Sequence, residues 1–248
     1  MAVCNSLERS TSWFDQVMEA GGSRCCVEQE ERSSSNVDFQ PSKLGTKEYW
    51  DHAYERELKC FRESSETSEV WFGKESMDRI RRWLEEQNIP KHAALLDIGT
   101  GNGVLLIELA KVGFTNLSGI DYSASAVELA KAVTKKEELS LKLQVADFLH
   151  PFPCLSHYEI CIDKGTFDAI SLSYEHPEEK LRRYHQSLLK VLRNGGLFLI
   201  TSCNWTKEEL VNHFSEGLEL QEELSTPKFQ FGGKTGSTVT VLVFKRKD

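Results

Sequence analysis

The chain has 248 residues, 40% of them hydrophobic, and a formal net charge of -8, which is enough to bury one full core and too acidic for a broad electrostatic grip on nucleic acid. Its seven cysteines are odd in number and form no C-x-x-C pair, so neither a disulfide framework nor a zinc site is indicated. It has no apolar run of about eighteen residues and no signal-peptide layout at its start, so no membrane partner is expected and the reducing cytosol, together with the nucleus, is the expected location.

Residues 1–43 are rich in Ser, Glu and Arg, can bury little apolar area, and are read as a disordered tail. A helical cap segment is expected over 44–92. In it Trp50, Ala53, Tyr54, Glu57, Leu58 and Phe61 recur at helical spacing, and a second helix carries Met77, Ile80 and Leu84 before stopping near Pro90. Taken singly, Trp50, Tyr54, Trp71 and Phe72 read as core; taken as a group, they could form a lid over whatever follows.

The main domain is placed at 93–248, and 95–106 organises it: Leu-Leu-Asp-Ile-Gly-Thr-Gly-Asn-Gly-Val-Leu-Leu is a strand, a tight turn and a helix start. Gly99, Gly101 and Gly103 let a ligand approach the helix amides, with Thr100 and Asn102 between them. A dinucleotide fingerprint would place glycine where Val104 stands, and a phosphate loop would need a lysine that the stretch lacks. Asp97 at the strand end favours a cation instead.

A second strand ends in Asp121-Tyr122 about twenty residues later, the spacing expected for an acid that holds a ribose diol. A third ends in Asp147-Phe148, an acid and a ring suited to adenine. An adenosine-like body with positive charge fits all three tips, and S-adenosylmethionine has that chemistry. The expected cofactor residues are therefore Asp97, Gly99, Thr100, Gly101, Asn102, Asp121, Tyr122, Asp147 and Phe148.

Strands and helices then alternate. A helix follows Ser123, and strands are expected over 141–145 and 158–163. Pro177 opens a helix that Asn194-Gly195-Gly196 should stop. A fifth strand covers 197–203, and Thr206 with Glu209 forms a capping box. Two closing strands are expected, with 228–233 turning back antiparallel into 238–244. This is an α/β, doubly wound, mostly parallel sheet covered on both faces.

The order D-x-G-x-G, then G-x-D, then A-D-F resembles class I S-adenosylmethionine-dependent methyltransferases. That resemblance implies a Rossmann-like sheet of seven strands ending in an antiparallel pair. At the fourth strand end Asp163-Lys164-Gly165-Thr166 stands where amide-modifying relatives carry N-P-P-Y or D-P-P-Y. This stretch is similar to a group of eukaryotic protein lysine methyltransferases acting on translation elongation factor 1-alpha. So are Tyr49-Trp50-Asp51, Trp71-Phe72-Gly73 and Ser202-Cys203-Asn204-Trp205-Thr206. The resemblance covers about 44–248 and implies a protein partner, elongation factor 1-alpha, and methylation of one of its lysines. A monomer is expected.

A neutral amine is the required nucleophile, and a carboxylate beside it raises its pKa while aiming it. Asp163 is therefore expected to hold the amine, with Trp50, Tyr54 and Trp71 as pocket walls through cation-π contact. The other reading of Asp163 is a cap or a salt-bridge partner of Lys164 that never meets substrate. A small-molecule methyltransferase and a non-catalytic cofactor-binding adaptor stay open, because one trough serves all three.

Overall fold

The computed structural model describes residues 40–65, 72–150, 157–226, 228–231, 234–237 and 239–248. The expected tail up to 39, the linker prolines Pro151 and Pro153, and Trp71 lie outside the described residues.

Two helices come first. Thr46 caps α1 (Lys47–Ser64) by accepting from the Tyr49 amide at 3.3 Å, and α2 (Gly73–Glu86) starts from Phe72 in the left-handed region at φ 65°. The strands β1 (Leu95–Ile98), β2 (Leu117–Asp121) and β3 (Lys142–Val145) alternate with α3 (Val104–Lys111) and α4 (Ala124–Lys136). Next come β4 (Tyr158–Lys164), a short α5 (Thr166–Ser171), α6 (Pro177–Val191), β5 (Leu192–Ser202) and α7 (Lys207–Phe214). The chain closes with β6 (Leu218–Glu223), β7 (Lys228–Phe231), β8 (Lys234–Ser237) and β9 (Thr240–Arg246).

The main sheet has seven strands in the order β3-β2-β1-β4-β5-β9-β6. Only β9 runs against the rest, antiparallel to β5 on one side and β6 on the other. The pairing expected at the end of the chain differs in one respect. Lys228–Phe231 does not turn back into the last strand but pairs with Lys234–Ser237 as a separate hairpin. The Gly-rich turn therefore closes a local insertion, and β9 takes its partners from the main sheet.

Burial explains the layers. Met77, Ile80, Trp83 and Leu84 of α2 share one core with Leu95 of β1, Leu106 and Leu109 of α3, and Val241 and Val243 of β9. The segment expected as a cap is thus part of the domain, and truncating fully buried Ile80 or Leu84 to alanine would cost about 2–5 kcal/mol. Tyr54, Leu58 and Phe61 of α1 pack with Ala126, Leu129 and Val133 of α4. A third, aromatic core joins Phe167, Tyr184, Phe198, Phe214 and Phe244, with Phe198 facing Phe244 across the β5–β9 pair.

Helix α6 ends at Val191, three residues before the Asn-Gly-Gly signal, because Leu192 is already buried in the sheet opposite Tyr158. The capping box of α7 forms as expected: the Glu209 amide donates to Thr206 Oγ1 at 3.3 Å and the Thr206 amide to Glu209 Oε2 at 2.9 Å.

Candidate active site

Parallel pairing sets the strand tips side by side. Asp97 lies opposite Gly119, Asp121 opposite Val145, and Ile98 opposite Asp163, so the carboxyl ends of β3, β2, β1 and β4 form one row. Asp147 follows β3 by two residues. The three acids expected to line one trough therefore share an edge.

The turn after β1 needs its glycines. Gly99, Gly101 and Gly103 have φ of 69°, 54° and 75°. A Cβ on Gly99 would come within 1.9 Å of Thr166 Oγ1, and one on Gly101 within 2.4 Å of Tyr54 Oη. The Thr100 amide donates to Ile120 O at 2.8 Å, and Thr100 Oγ1 donates to Asp97 Oδ2 at 2.8 Å.

Asp121 is the centre of the trough. Its Oδ2 accepts from the Gly101 amide at 3.0 Å and its Oδ1 from the Ser123 amide at 2.9 Å, which fixes both oxygens while leaving each a lone pair. Burial pushes its carboxyl up to about 6, against those two amides, and the neighbouring Asp97 and Asp51 add to the rise. Burial also raises the Asp97 carboxyl, while the Lys164 ammonium and Thr100 pull it back. Asp147 accepts from the Leu149 amide at 2.9 Å and lies 2.7 Å from His150 Nδ1.

Helix α1 covers this row. Tyr54 Oη sits over Gly101, and Asn102 Nδ2 donates to buried Glu57 Oε1 at 3.0 Å. Tyr122 Oη reaches Thr46 O at 3.5 Å, and Lys47 lies 5.4 Å above the Tyr122 ring. Trp50 stacks on Tyr54 with centroids 6.1 Å apart and donates to Leu44 O at 2.7 Å. Tyr54 thus packs in the core with Trp50 against it, and its hydroxyl lies over the glycine turn. Phe72 covers the other end, where a Cβ on Gly165 would come within 2.1 Å of its ring.

Two of the expected site residues are engaged within the fold. Asp163 is fully buried and its carboxylate is used within the fold: it accepts from the Thr166 amide at 2.9 Å, the Phe167 amide at 3.1 Å and Tyr184 Oη at 2.6 Å. It caps α5 and anchors the turn after β4, the alternative role that the sequence offers for it. Burial pushes it up to about 7 despite those donors. Phe148 is 5% exposed and meets Tyr184 edge-on at 5.0 Å, a core position that leaves little surface for an adenine face.

Several participants were not foreseen. Glu57 was seen only as part of a helical stripe, although an acid at an apolar-face position was a signal. Tyr184 had no signal. Asp168 accepts from Ser202 Oγ at 2.5 Å and the Cys203 amide at 2.8 Å, tying the Asp-Lys-Gly-Thr turn to the Ser-Cys-Asn-Trp segment.

The donor set suits a cationic nucleoside. A fixed carboxylate with two open lone pairs could hold a ribose diol and a second buried acid one strand over an ammonium, beside a glycine turn that lets the ligand approach the backbone. Among the described residues no group of three or more His, Cys, Asp or Glu could hold a metal ion.

Comparison with known proteins agrees with this geometry. The methyltransferase domain family matches residues 89–238. The chain is 56% identical over 230 residues to EEF1A lysine methyltransferase 2 of Homo sapiens, covering 92% of this chain and 98% of that protein. It is 40% identical over 224 residues to protein-lysine N-methyltransferase efm4 of Schizosaccharomyces pombe, covering 82% and 94%. The crystal structure of N-methyltransferase NodS from Bradyrhizobium japonicum with S-adenosyl-L-homocysteine superposes with a TM-score of 0.58 at 18% identity, over 80% of this chain and 99% of that one.

Proposed function

The chain belongs to the methyltransferase domain family and, within it, to the protein-lysine methyltransferases related to EEF1A lysine methyltransferase 2, and from that premise we propose that it methylates a lysine of translation elongation factor 1-alpha. The observation that carries the chemistry is the row of Asp97, Asp121 and Asp147 along three adjacent parallel strand tips, beside a glycine turn whose backbone carries no Cβ at Gly99, Gly101 and Gly103. We place the reaction in the cytoplasm, where a translation factor works.

Bound in the trough, S-adenosylmethionine supplies a methyl carbon already activated by its sulfonium leaving group. The protein's part is positioning. Asp121 holds the ribose hydroxyls, Asp97 attracts the ammonium, and the amides of the turn from Gly99 to Gly103 approach the nucleoside closely. Asn102 and Tyr122 act by fixing α1 over the trough, while Trp50 and Tyr54 keep water out. At pH 7 an ordinary lysine loses about 4–5 kcal/mol on giving up its proton, so a dry aromatic approach that disfavours the charged amine contributes directly to rate. Asp163 contributes by holding the turn through which Gly165 and Thr166 meet Phe72 and Ile98.

Incubating the purified chain with methyl-labelled S-adenosylmethionine and a cell lysate that contains elongation factor 1-alpha, followed by mass spectrometry of the labelled peptides and small molecules, tests the proposal. Label on one lysine of that factor is expected. With Asp121→Ala the cofactor should bind about 10- to 100-fold more weakly, since hydrogen bonds to a charged group are worth about 1.5–3 kcal/mol each. Label confined to small molecules would establish the small-molecule reading. Cofactor binding without any labelled product would establish the adaptor.

A further inference from the structure

The lysine of the Asp-Lys-Gly-Thr turn has so far been given no role. It ends β4, one residue past Asp163 and two past Ile162, the partner of Asp97 across the β1–β4 pair. Side chains alternate along a strand, so Lys164 leaves the sheet on the same face as Ile162 and Asp97. Its Nζ lies 6.0 Å from the centroid of the Phe72 ring, beneath the lid that also covers Gly165. Desolvation lowers its pKa, and Asp97 and Asp163 hold it up. A half-buried lysine is costly unless anions face it.

S-adenosylmethionine carries a carboxylate at the end of its amino-acid arm, next to the ammonium. The trough as described is almost wholly acidic: Asp97, Asp121, Asp147 and buried Glu57 would all repel that group. Two lysines border it among the described residues. Lys47 lies at the Tyr122 end, is 54% exposed, and pairs with Asp51 at 2.5 Å. Lys164 lies at the Asp97 end, under Phe72.

We propose that Lys164 is the counter-ion of the cofactor's carboxylate, so that Asp97 and Lys164 together read the zwitterion at the end of the amino-acid arm. This inference rests on the cofactor assignment above. It gives the lysine of the turn a binding task, with Asp163 fixing the backbone from which it projects. A purely structural Lys164–Asp97 pair would instead support the trough for every adenosine ligand equally.

The two roles separate by calorimetry with three ligands: S-adenosylmethionine, its decarboxylated form, and methylthioadenosine, which lacks the whole arm. The wild-type chain should prefer the first over the second by about 10- to 100-fold, the range of one hydrogen bond to a charged group. Lys164→Met should bring the two within about threefold by weakening S-adenosylmethionine alone, with methylthioadenosine unchanged; Lys164→Arg should keep a preference for the carboxylate. If Lys164→Met weakens all three alike, or none, the proposal is overturned. If that variant fails to fold, the wild-type comparison decides, since equal binding of the carboxylated and decarboxylated forms overturns it and discrimination kept by Lys164→Arg supports it. Failure of the wild type to bind any of the three would overturn the cofactor assignment itself, a result distinct from binding without discrimination.

Discussion

At the residue scale, the chemistry turns on carboxylates that the fold treats differently. Asp121 should make cofactor affinity depend on pH. Its carboxyl titrates at about 6 and only the ionised form accepts from two hydroxyls, so binding of S-adenosyl-L-homocysteine should be level above about pH 7. It should weaken as pH falls through about 6, approaching tenfold per unit; calorimetry at four pH values checks this, and level affinity down to about pH 5 would remove Asp121 from the diol site. Asp163 should behave as a structural group. Asp163→Ala strands two buried amides and the Tyr184 hydroxyl, and should cost about 2–4 kcal/mol in denaturant unfolding. Tyr184→Phe should cost less, about 1–2 kcal/mol, because the carboxylate keeps its two amide donors. Asp97, Asp121 and Asp147 could be read as a set from the sequence because each ends an apolar run at a regular interval. The capping role of Asp163 was legible only as an alternative for a physical reason: it ends a strand too, but an acid one residue before a Lys-Gly-Thr turn can accept the amides that follow, and local spacing does not say whether a carboxylate faces the trough or its own turn.

At the element scale, α1 is the piece that completes the trough. Gly101 and Tyr54 Oη are so close that Gly101→Ala must displace the tyrosine and strain a backbone at φ 54°. Cofactor affinity should fall, and adding Tyr54→Phe should recover part of the loss, a non-additivity of about 0.5–3 kcal/mol in a double-mutant cycle. The capping box of α7 is exposed and closed between its own two residues. Thr206→Ala should cost about 0.5–2 kcal/mol of stability and leave cofactor binding unchanged, as thermal unfolding and calorimetry together would show. Helices with strong periodicity or a cap, such as α1, α4 and α7, were legible in the sequence. The six-residue α5 was not, because it lacks a stripe of its own and is held by Asp163 and Gly165 from outside. The β7–β8 hairpin was missed for the converse reason: a Gly-rich turn fixes which segments are adjacent in sequence but not which strand of a distant sheet will claim the next one.

At the scale of the whole molecule, the alternation of strands and helices gave the sheet and its mostly parallel sense, and the resemblance gave its strand count. The net charge of -8 should favour a basic protein substrate, so methylation of elongation factor 1-alpha should slow as salt screens the encounter, through KM more than kcat. A KM independent of ionic strength between about 50 and 300 mM would assign recognition to short-range contacts alone.

The placement of β9 has a temporal consequence. Val241 to Phe244 are all but fully buried between two strands that precede them in the chain, so a ribosome delivers both flanks of a slot well before it delivers the piece that fills it. Until then the apolar edge of β5, with Phe198, Leu199 and Ile200, waits unpaired, the state in which nascent proteins recruit chaperones or clump. A premature stop just ahead of Thr240 would leave the whole glycine turn and every acid of the trough translated, and still yield a polypeptide whose sheet cannot close.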